Sequence, residues 1–271
     1  MSVDVLADQV ADSRRRLAAA VAAEPLEQVR ARADAMPPPP SFREALQRPG
    51  VAVIAEIKRG SPSRGMLAAG LDPVATAHAY AEGGAAAVSV LTAPEGFLGS
   101  LEDLAAVAQL GVPTLRKDFL VDRYQVWEAR AAGAAAVLLL AVVLDDEALR
   151  GLLEETARAG LDALVEVHDE QEMARAAALE APIIGVNVRD LRDFSVENGR
   201  FARVAAGRPS KALLVAESGV HGPGDVAAYR AAGADAVLVG EHLVSSPDPT
   251  RATRDLVEAG ELQPDGGGAG R

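Results

Sequence analysis

Eight short runs of apolar and β-branched residues recur along the chain, separated mostly by stretches rich in alanine, leucine and charged residues. Each run has the length of a buried strand, and most of the stretches are long enough for a helix. Repeated strand–helix units predict parallel strands joined by crossover helices. The predicted strands are residues 51–57, 87–91, 113–116, 136–140, 163–167, 183–188, 213–216 and 236–239. The clearest predicted helices are residues 73–82, 122–132, 145–159 and 225–232.

A weak internal repeat indicates that these units close into a ring. The sequences GAAAV at 84–88, GAAAV at 133–137 and GADAV at 233–237 each place a glycine at a helix end, directly before a predicted strand. The alternative is an open doubly wound sheet, but the glycine fingerprint that such sheets carry after the first strand is absent. The pattern therefore favours an α/β fold of the (β/α)8, or TIM-barrel, type.

The two ends of the chain do not fit the strand–helix pattern. Residues 1 to about 35 show helical spacing of apolar side chains, and the run of prolines at 37–40 ends that pattern. Ser41 is a candidate N-cap for a short helix at 42–47. We predict an N-terminal helical extension packed on the barrel (1–48), the catalytic barrel (49–260) and a disordered glycine-rich tail (261–271).

Composition narrows the possible partners. The net charge of −12 disfavours binding to nucleic acid or to an anionic membrane surface, so an anionic substrate needs its own cluster of donors. The longest apolar run, residues 134–144, is too short to span a bilayer. The chain has no cysteine, which excludes disulfides and thiolate chemistry, and its N-terminus does not resemble a signal peptide. We expect a cytoplasmic protein.

Polar residues cluster at the ends of the predicted strands, where barrel enzymes place their active sites. Alternation with period two puts Glu56 and Lys58 on one face of their strand, and Asn187 and Arg189 on one face of theirs. Since apolar neighbours flank these groups, we expect them to converge in the barrel mouth. The strand ends carry Glu56, Lys58, Lys117, Glu166, Asn187, Arg189, Glu217 and Ser218.

Two lysines and three glutamates in one cavity suit proton transfer. Desolvation is expected to lower the pKa of a lysine and raise that of a glutamate, so that each acts near neutral pH. The alternative is a salt-bridge network without a catalytic role. Candidates for anion binding are Ser61, which follows the first strand, and Gly219 and Gly240, which follow the seventh and eighth strands, where barrels often present backbone amides to phosphate; Arg189 could add a charged donor.

Other residues carry less weight. His168 could reach the mouth, but a lone histidine is more often a loop residue. The four histidines lack metal-ligand spacing, so no metal site is predicted. Arg14–Arg16 is interpreted as a solvated helix face.

Six motifs, in order along almost the whole chain, resemble the indole-3-glycerol phosphate synthase family. The motifs at 54–63 and 115–119 are the most specific. The six are IAEIKRGSPS at 54–63, FLGS at 97–100, LRKDF at 115–119, LVEV at 164–167, GVNVRDL at 185–191 and VAESG at 215–219.

The resemblance implies a cofactor-free carboxy-lyase of tryptophan biosynthesis. It would convert 1-(2-carboxyphenylamino)-1-deoxyribulose 5-phosphate, a phosphorylated small molecule, to indole-3-glycerol phosphate, carbon dioxide and water. By resemblance Lys117 is the general acid of ring closure and Glu166 an acid/base of the dehydration. Glu56 and Lys58 assist proton transfer and hold the substrate carboxylate. The resemblance also assigns Asn187, Glu217 and Ser218 to substrate contact, Ser61, Arg189, Gly219 and Gly240 to the phosphate, and Phe97, Phe119 and Leu138 to apolar walls.

Some questions stay open at this level. Glu241 stands where some members of the family carry serine, so a hydroxyl contact to phosphate would be missing. One rival function is a Schiff-base aldolase with Lys117 as nucleophile. The other is a non-catalytic scaffold barrel. For the oligomeric state we expect a monomer, with a weak homo-oligomer as the alternative.

Overall fold

The computed structural model describes residues 5–61, 65–68, 70–189, 197 and 199–261. Eight parallel strands form a closed barrel in the order β1-β10-β9-β8-β7-β6-β5-β4, and a two-stranded hairpin, β2-β3, lies beside it. The barrel strands are β1 (Ala52–Ile57), β4 (Ala87–Leu91), β5 (Thr114–Lys117), β6 (Ala136–Leu140), β7 (Asp162–Val167), β8 (Ile183–Asn187), β9 (Leu213–Glu217) and β10 (Ala236–Val239); the hairpin strands are β2 (Gly60–Ser61) and β3 (Gly65–Met66). The predicted (β/α)8 barrel is confirmed, and each predicted strand overlaps an observed one.

Helices separate successive barrel strands, and several begin at an aspartate whose side chain accepts a hydrogen bond from a backbone amide of the first turn. Asp72, Asp122, Asp145 and Asp169 cap helices in this way. The helices are α1 (Val5–Ala23), α2 (Leu26–Ala35), α3 (Phe42–Leu46), α4 (Pro73–Glu82), α5 (Leu101–Ala108), α6 (Arg123–Ala131), α7 (Asp146–Arg158), α8 (Glu170–Ala178), α9 (Arg200–Ala205), α10 (Pro223–Ala231), α11 (Glu241–Val244) and α12 (Pro249–Gly260).

The strands separate two apolar clusters. Side chains on their outer face pack with the surrounding helices, whereas inward side chains such as Ile54, Leu115 and Leu164 form a second cluster inside the barrel. Phe42 and Leu46 of α3 belong to this inner cluster and are almost fully buried. The amide of Arg43 donates to Asp162, the first residue of β7, so α3 closes the amino-terminal end, or base, of the barrel. Ser41 caps α3, as predicted.

The N-terminal segment differs from its prediction in two ways. It forms two helices rather than one, because the chain breaks at Glu24 and Pro25. The residues that α1 buries are polar: Gln9, Asp12 and Ser13. Ser13 donates to the carbonyl of Phe119 and accepts from Gln125, so α1 is attached by hydrogen bonds as well as by apolar contacts.

Within the described ranges, no helix is both long and apolar enough to span a membrane. The division into 1–48, 49–260 and 261–271 stays a prediction. The glycine-rich tail was predicted to be disordered, and its residues 262–271 lie outside the described part of the chain.

Candidate active site

A cavity opens at the carboxyl ends of the barrel strands and encloses about 1060 Å³, part of it open to solvent. Every site residue predicted from the sequence lines it. These are Glu56, Lys58, Ser61, Phe97, Lys117, Phe119, Leu138, Glu166, Asn187, Arg189, Glu217, Ser218, Gly219 and Gly240. Residues far apart in the chain therefore meet at one rim, as the strand-end pattern predicts.

Lys117 stands at the centre of the charged part of the cavity. Its Nζ lies 3.4 Å from Oε2 of Glu166 and 3.7 Å from Oε2 of Glu217. Both carboxylates are almost fully buried, while the lysine side chain keeps 17% of its surface exposed. A second ion pair joins Lys58 Nζ to Glu56 Oε1 at 3.0 Å. The cavity thus holds two ammonium groups, and each lies beside at least one carboxylate.

The sequence-based expectation for the pKa values of Lys117 and Glu166 is wrong. Burial alone lowers the pKa of Lys117, but attraction by Glu166, Glu217 and Glu56 outweighs it and raises the pKa above its ordinary value. Burial alone raises the pKa of Glu166, but Lys117, His168 and Asn187 outweigh it and lower the pKa. Charge pairing wins over desolvation here because the partners lie within direct contact distance.

Glu217 behaves in the opposite way to Glu166. Burial, reinforced by repulsion from Glu166, raises its pKa well above the ordinary value despite the attraction of Lys117. Its Oε1 is buried without a hydrogen-bond partner among the described residues. Two neighbouring carboxyl groups with pKa values displaced in opposite directions suit opposite roles, Glu217 as an acid and Glu166 as a base.

Asn187 orients one side of this pair. Its Nδ2 donates to Oε1 of Glu166 at 2.9 Å, and its Oδ1 accepts from the hydroxyl of Ser218 at 2.9 Å and from the amide of Arg189 at 3.1 Å. Ser218 has a φ of 70°, a left-handed conformation that is strained for a residue other than glycine. Strain of this kind is often found at functional sites, where neighbouring contacts hold it in place.

Two glycines leave room for the carboxylates. A Cβ at Gly185 would lie 2.0 Å from Oε1 of Glu217, and a Cβ at Gly240 would lie 2.5 Å from Oε1 of Glu56. Position 185 is on β8, whose inward face passes beneath the Glu217 side chain of β9. Gly185 begins the motif at 185–191, but only the packing across two strands shows why a side chain cannot be accommodated there.

The remaining predicted residues form the periphery of the cavity. Phe97 and Phe119 stand with ring centroids 6.2 Å apart on its apolar side, together with Leu138. Ser61, Arg189, Gly219 and Gly240 also line it, and so does Glu241. The cavity therefore combines an apolar wall with a set of polar groups from β1, β8, β9 and β10.

The end of β5 is fixed by a network that the sequence reasoning did not identify. Arg116, with 1% exposure, donates to Asp118, Glu128 and the carbonyl of Gln125. Arg16 of α1 pairs with Asp118 through both terminal nitrogens, so the interpretation of Arg16 as a solvated residue is wrong. These contacts hold the residues on either side of Lys117.

His168 also belongs near the site, although the sequence gave it little weight. Its Nε2 lies 3.2 Å from Oε1 of Glu166, and its Nδ1 lies 3.1 Å from Oε2 of Glu172. A carboxylate four residues further along the chain was the available signal, since Glu172 of α8 reaches back to the loop that carries the histidine.

Comparison with known proteins agrees with this geometry. The model of the family described as "Indole-3-glycerol phosphate synthase" matches residues 6–256. The chain belongs to the indole-3-glycerol phosphate synthase family. The protein called indole-3-glycerol phosphate synthase in Mycolicibacterium smegmatis is 51% identical over 260 residues, which cover 96% of each chain. That of Mycobacterium tuberculosis is 50% identical over 262 residues, again with 96% of each covered.

More distant solved structures share the fold. A tryptophan synthase alpha subunit from Legionella pneumophila superposes with a TM-score of 0.58 at 17% identity, covering 80% of this chain and 97% of that one. A 3-hexulose-6-phosphate synthase gives a TM-score of 0.60 at 18% identity, with coverage of 77% and 99%. At these identities the likeness establishes the barrel alone.

Proposed function

We propose that the cavity carries out the ring-closing decarboxylation and dehydration that the family name denotes, with Lys117, Glu166 and Glu217 as its reacting groups. The substrate is 1-(2-carboxyphenylamino)-1-deoxyribulose 5-phosphate and the product is indole-3-glycerol phosphate. The observation that supports this most directly is the placement of one lysine beside two buried glutamates, whose pKa values are displaced in opposite directions, in a partly apolar cavity.

Ring closure requires an acid. Attack of the aromatic carbon on the substrate carbonyl develops negative charge on oxygen, and the ammonium of Lys117 stabilises that charge and donates a proton. The raised pKa of Lys117 keeps this proton in place until the oxygen becomes basic. Loss of the substrate carboxylate as carbon dioxide then restores aromaticity, so the substrate itself accepts the electron pair.

Dehydration requires both an acid and a base. Glu217, whose raised pKa favours its protonated form, donates to the leaving hydroxyl, while the carboxylate of Glu166 accepts the proton from the adjacent carbon. Lys117 and Glu217 each give up a proton and Glu166 gains one. The enzyme therefore returns to its starting state by taking up one proton from solvent, which balances the charge lost with carbon dioxide.

The other residues bind the substrate. Phe97, Phe119 and Leu138 pack against the aromatic ring, and Lys58 with Glu56 holds the carboxylate and assists proton transfer. Ser61, Arg189, Gly219 and Gly240 bind the phosphate, and Asn187 and Ser218 contact the ribulose chain. Support comes from their shared cavity: apolar groups, an ammonium and a guanidinium all face the same space.

The Schiff-base aldolase is disfavoured by electrostatics. A lysine nucleophile must lose its proton, and the surrounding carboxylates hold the proton on Lys117. Borohydride in the presence of a ketose phosphate therefore should not trap a covalent adduct. The scaffold alternative is disfavoured because two lysines and three glutamates from different strands line one open cavity.

The test is a continuous fluorescence assay of indole-3-glycerol phosphate formation from the carboxyphenylamino ribulose phosphate. We expect product with the unchanged protein and loss of product with Lys117→Ala. An unchanged protein that folds but forms no product would refute the proposed function. Near-normal turnover in Lys117→Ala would refute the role of the lysine alone.

We also propose that the protein acts as a monomer in the cytoplasm. One chain supplies all the side chains of the candidate site, and cysteine is absent. Light scattering coupled to size exclusion tests the first point, because a stable dimer would double the mass of 28.0 kDa.

A further inference from the structure

The two oxygens of the Glu166 carboxylate have different surroundings. Oε2 faces Lys117 at 3.4 Å. Oε1 accepts a hydrogen bond from Asn187 at 2.9 Å and lies 3.2 Å from Nε2 of His168. One oxygen therefore faces the reacting lysine, and the other accepts a hydrogen bond from Asn187 and lies within ion-pair distance of His168.

His168 is itself fixed by a second carboxylate. It lies in the loop between β7 and α8, and its Nδ1 is 3.1 Å from Oε2 of Glu172 on the first turn of α8. The backbone amide of His168 donates to the same oxygen at 2.8 Å. The amide of Glu172 in turn donates to Asp169, the N-cap of the helix. The imidazole thus has a defined position set by the start of α8.

A carboxylate at each ring nitrogen determines the protonation state. A neutral imidazole has one nitrogen without hydrogen, whose lone pair would face a carboxylate oxygen on one side or the other. With protons on both nitrogens, Nδ1 donates to Glu172, and the positive charge of the ring lies 3.2 Å from Glu166 as an ion pair without an aligned hydrogen bond, since Nε2 has no hydrogen-bond partner among the described residues. The titratable groups that face the ring are Glu166 and Glu172; Asp169 and Lys117 lie beyond them. Burial lowers the pKa of His168, but these two carboxylates raise it to about 10.

His168 does not belong to the described residues that line the cavity. Any effect it has on the reaction therefore passes through Glu166. We propose that His168 is a positioning residue, whose imidazolium, anchored by Glu172, holds Oε1 of Glu166 so that Oε2 is presented to Lys117 and the substrate. This inference rests on the proposed function of Glu166.

The test compares His168→Gln, which keeps an N–H donor but removes the positive charge, with His78→Gln on the exposed face of α4 as the matched control. Glu172→Gln is measured in parallel, because it leaves the imidazole in place and weakens its anchor. We expect His168→Gln to lower kcat about tenfold, less than the loss of about 100-fold expected when an acid–base group itself is removed. KM should stay close to that of the unchanged protein, because the residue does not line the cavity. His78→Gln should change neither constant.

The pH profile separates positioning from a merely structural role. Loss of an adjacent positive charge raises the pKa of a carboxyl group, so the acidic limb of kcat should move to higher pH by about one unit in His168→Gln. Glu172→Gln should move it in the same direction and less far. If His168→Gln does not fold, the shift in Glu172→Gln decides the matter.

A double substitution closes the test. In a Glu166→Gln background, adding His168→Gln should have little further effect on kcat, because the residue through which it acts is already altered. The positioning role would be overturned if His168→Gln lowered kcat equally in the unchanged protein and in Glu166→Gln. It would also be overturned if His168→Gln and Glu172→Gln left kcat and its pH profile unchanged. If Glu166→Gln itself turns over normally, the proposed function of Glu166 fails instead, and the two failures are thereby distinguished.

Discussion

The same strands form both the base and the mouth of the barrel interior. On each of three strands, the inward-facing residue at the base and the one at the mouth are two positions apart. On β1 the inward position changes from Ile54 to Glu56, on β5 from Leu115 to Lys117, and on β7 from Leu164 to Glu166. At the base the inward side chains pack against Phe42 and Leu46 of α3. At the mouth they meet one another as charges around an open cavity.

Within one barrel interior, the residues at the base serve stability and those at the mouth serve the proposed chemistry. Apolar packing at the base removes surface from water at no electrostatic cost. The mouth instead contains a buried glutamate with a raised pKa, one oxygen of which has no hydrogen-bond partner among the described residues, and a serine in a left-handed conformation. We expect substitutions at the base to change the free energy of unfolding, and substitutions at the mouth to change turnover.

The largest effect is expected at the base. Phe42→Ala removes a fully buried aromatic ring from α3, which closes the base of the barrel, and should lower the free energy of unfolding by about 3–5 kcal/mol. Urea unfolding followed by circular dichroism measures it. The folded fraction should retain the kcat of the unchanged protein, and a large fall in kcat at full folding would break the comparison.

The converse is expected at the mouth. Glu166→Gln should lower turnover by about 100-fold, the usual scale for an acid–base group, while the protein still unfolds cooperatively. Single-turnover kinetics and urea unfolding on the same preparation give both numbers. If Glu166→Gln lowers the free energy of unfolding as much as Phe42→Ala does, then the residues at the mouth also stabilise the fold.

A glycine at the mouth gives an intermediate effect. Gly185→Ala would bring a methyl carbon to 2.0 Å from Oε1 of Glu217, so the carboxyl group must move; we expect a loss of about 1–3 kcal/mol in stability, together with reduced turnover. Gly151→Ala is the control, because nothing lies within 4 Å of its added Cβ on the exposed side of α7. That substitution should instead stabilise the protein by about 0.5–1 kcal/mol. Thermal unfolding and the fluorescence assay compare the two variants.

The smallest effect concerns pH. The pKa of His168 is raised from 6.5 to about 10, so its contribution to stability is fully present below pH 6.5 and is lost as the pH rises through about 10. Urea unfolding between neutral pH and pH 10 should show this decline, and His168→Gln should flatten it. An equally steep decline in the variant would assign the effect to other groups.

Much of the fold could be predicted because the period-two and helical patterns are local. The eight strands and the cap at Ser41 follow from residues adjacent in sequence. The site residues could be predicted because parallel strands bring their carboxyl ends to one rim. The pKa directions of Lys117 and Glu166 could not, since they depend on distances between strands.

The polar docking of α1 was missed for a related reason. Its apolar spacing predicts a helix, but the choice of buried face depends on partners such as Asp118 and Phe119, more than a hundred residues away. His168 was undervalued because nothing in the sequence shows that a side chain outside the cavity touches one that lines it.

The close approach of Glu217 to Gly185 makes these two positions interdependent over evolutionary time. A lineage that exchanged the glutamate for a smaller residue could then accept alanine at 185 without strain. Once it had done so, restoring the acid would be blocked until glycine returned, so loss of this carboxyl group would act as a one-way step.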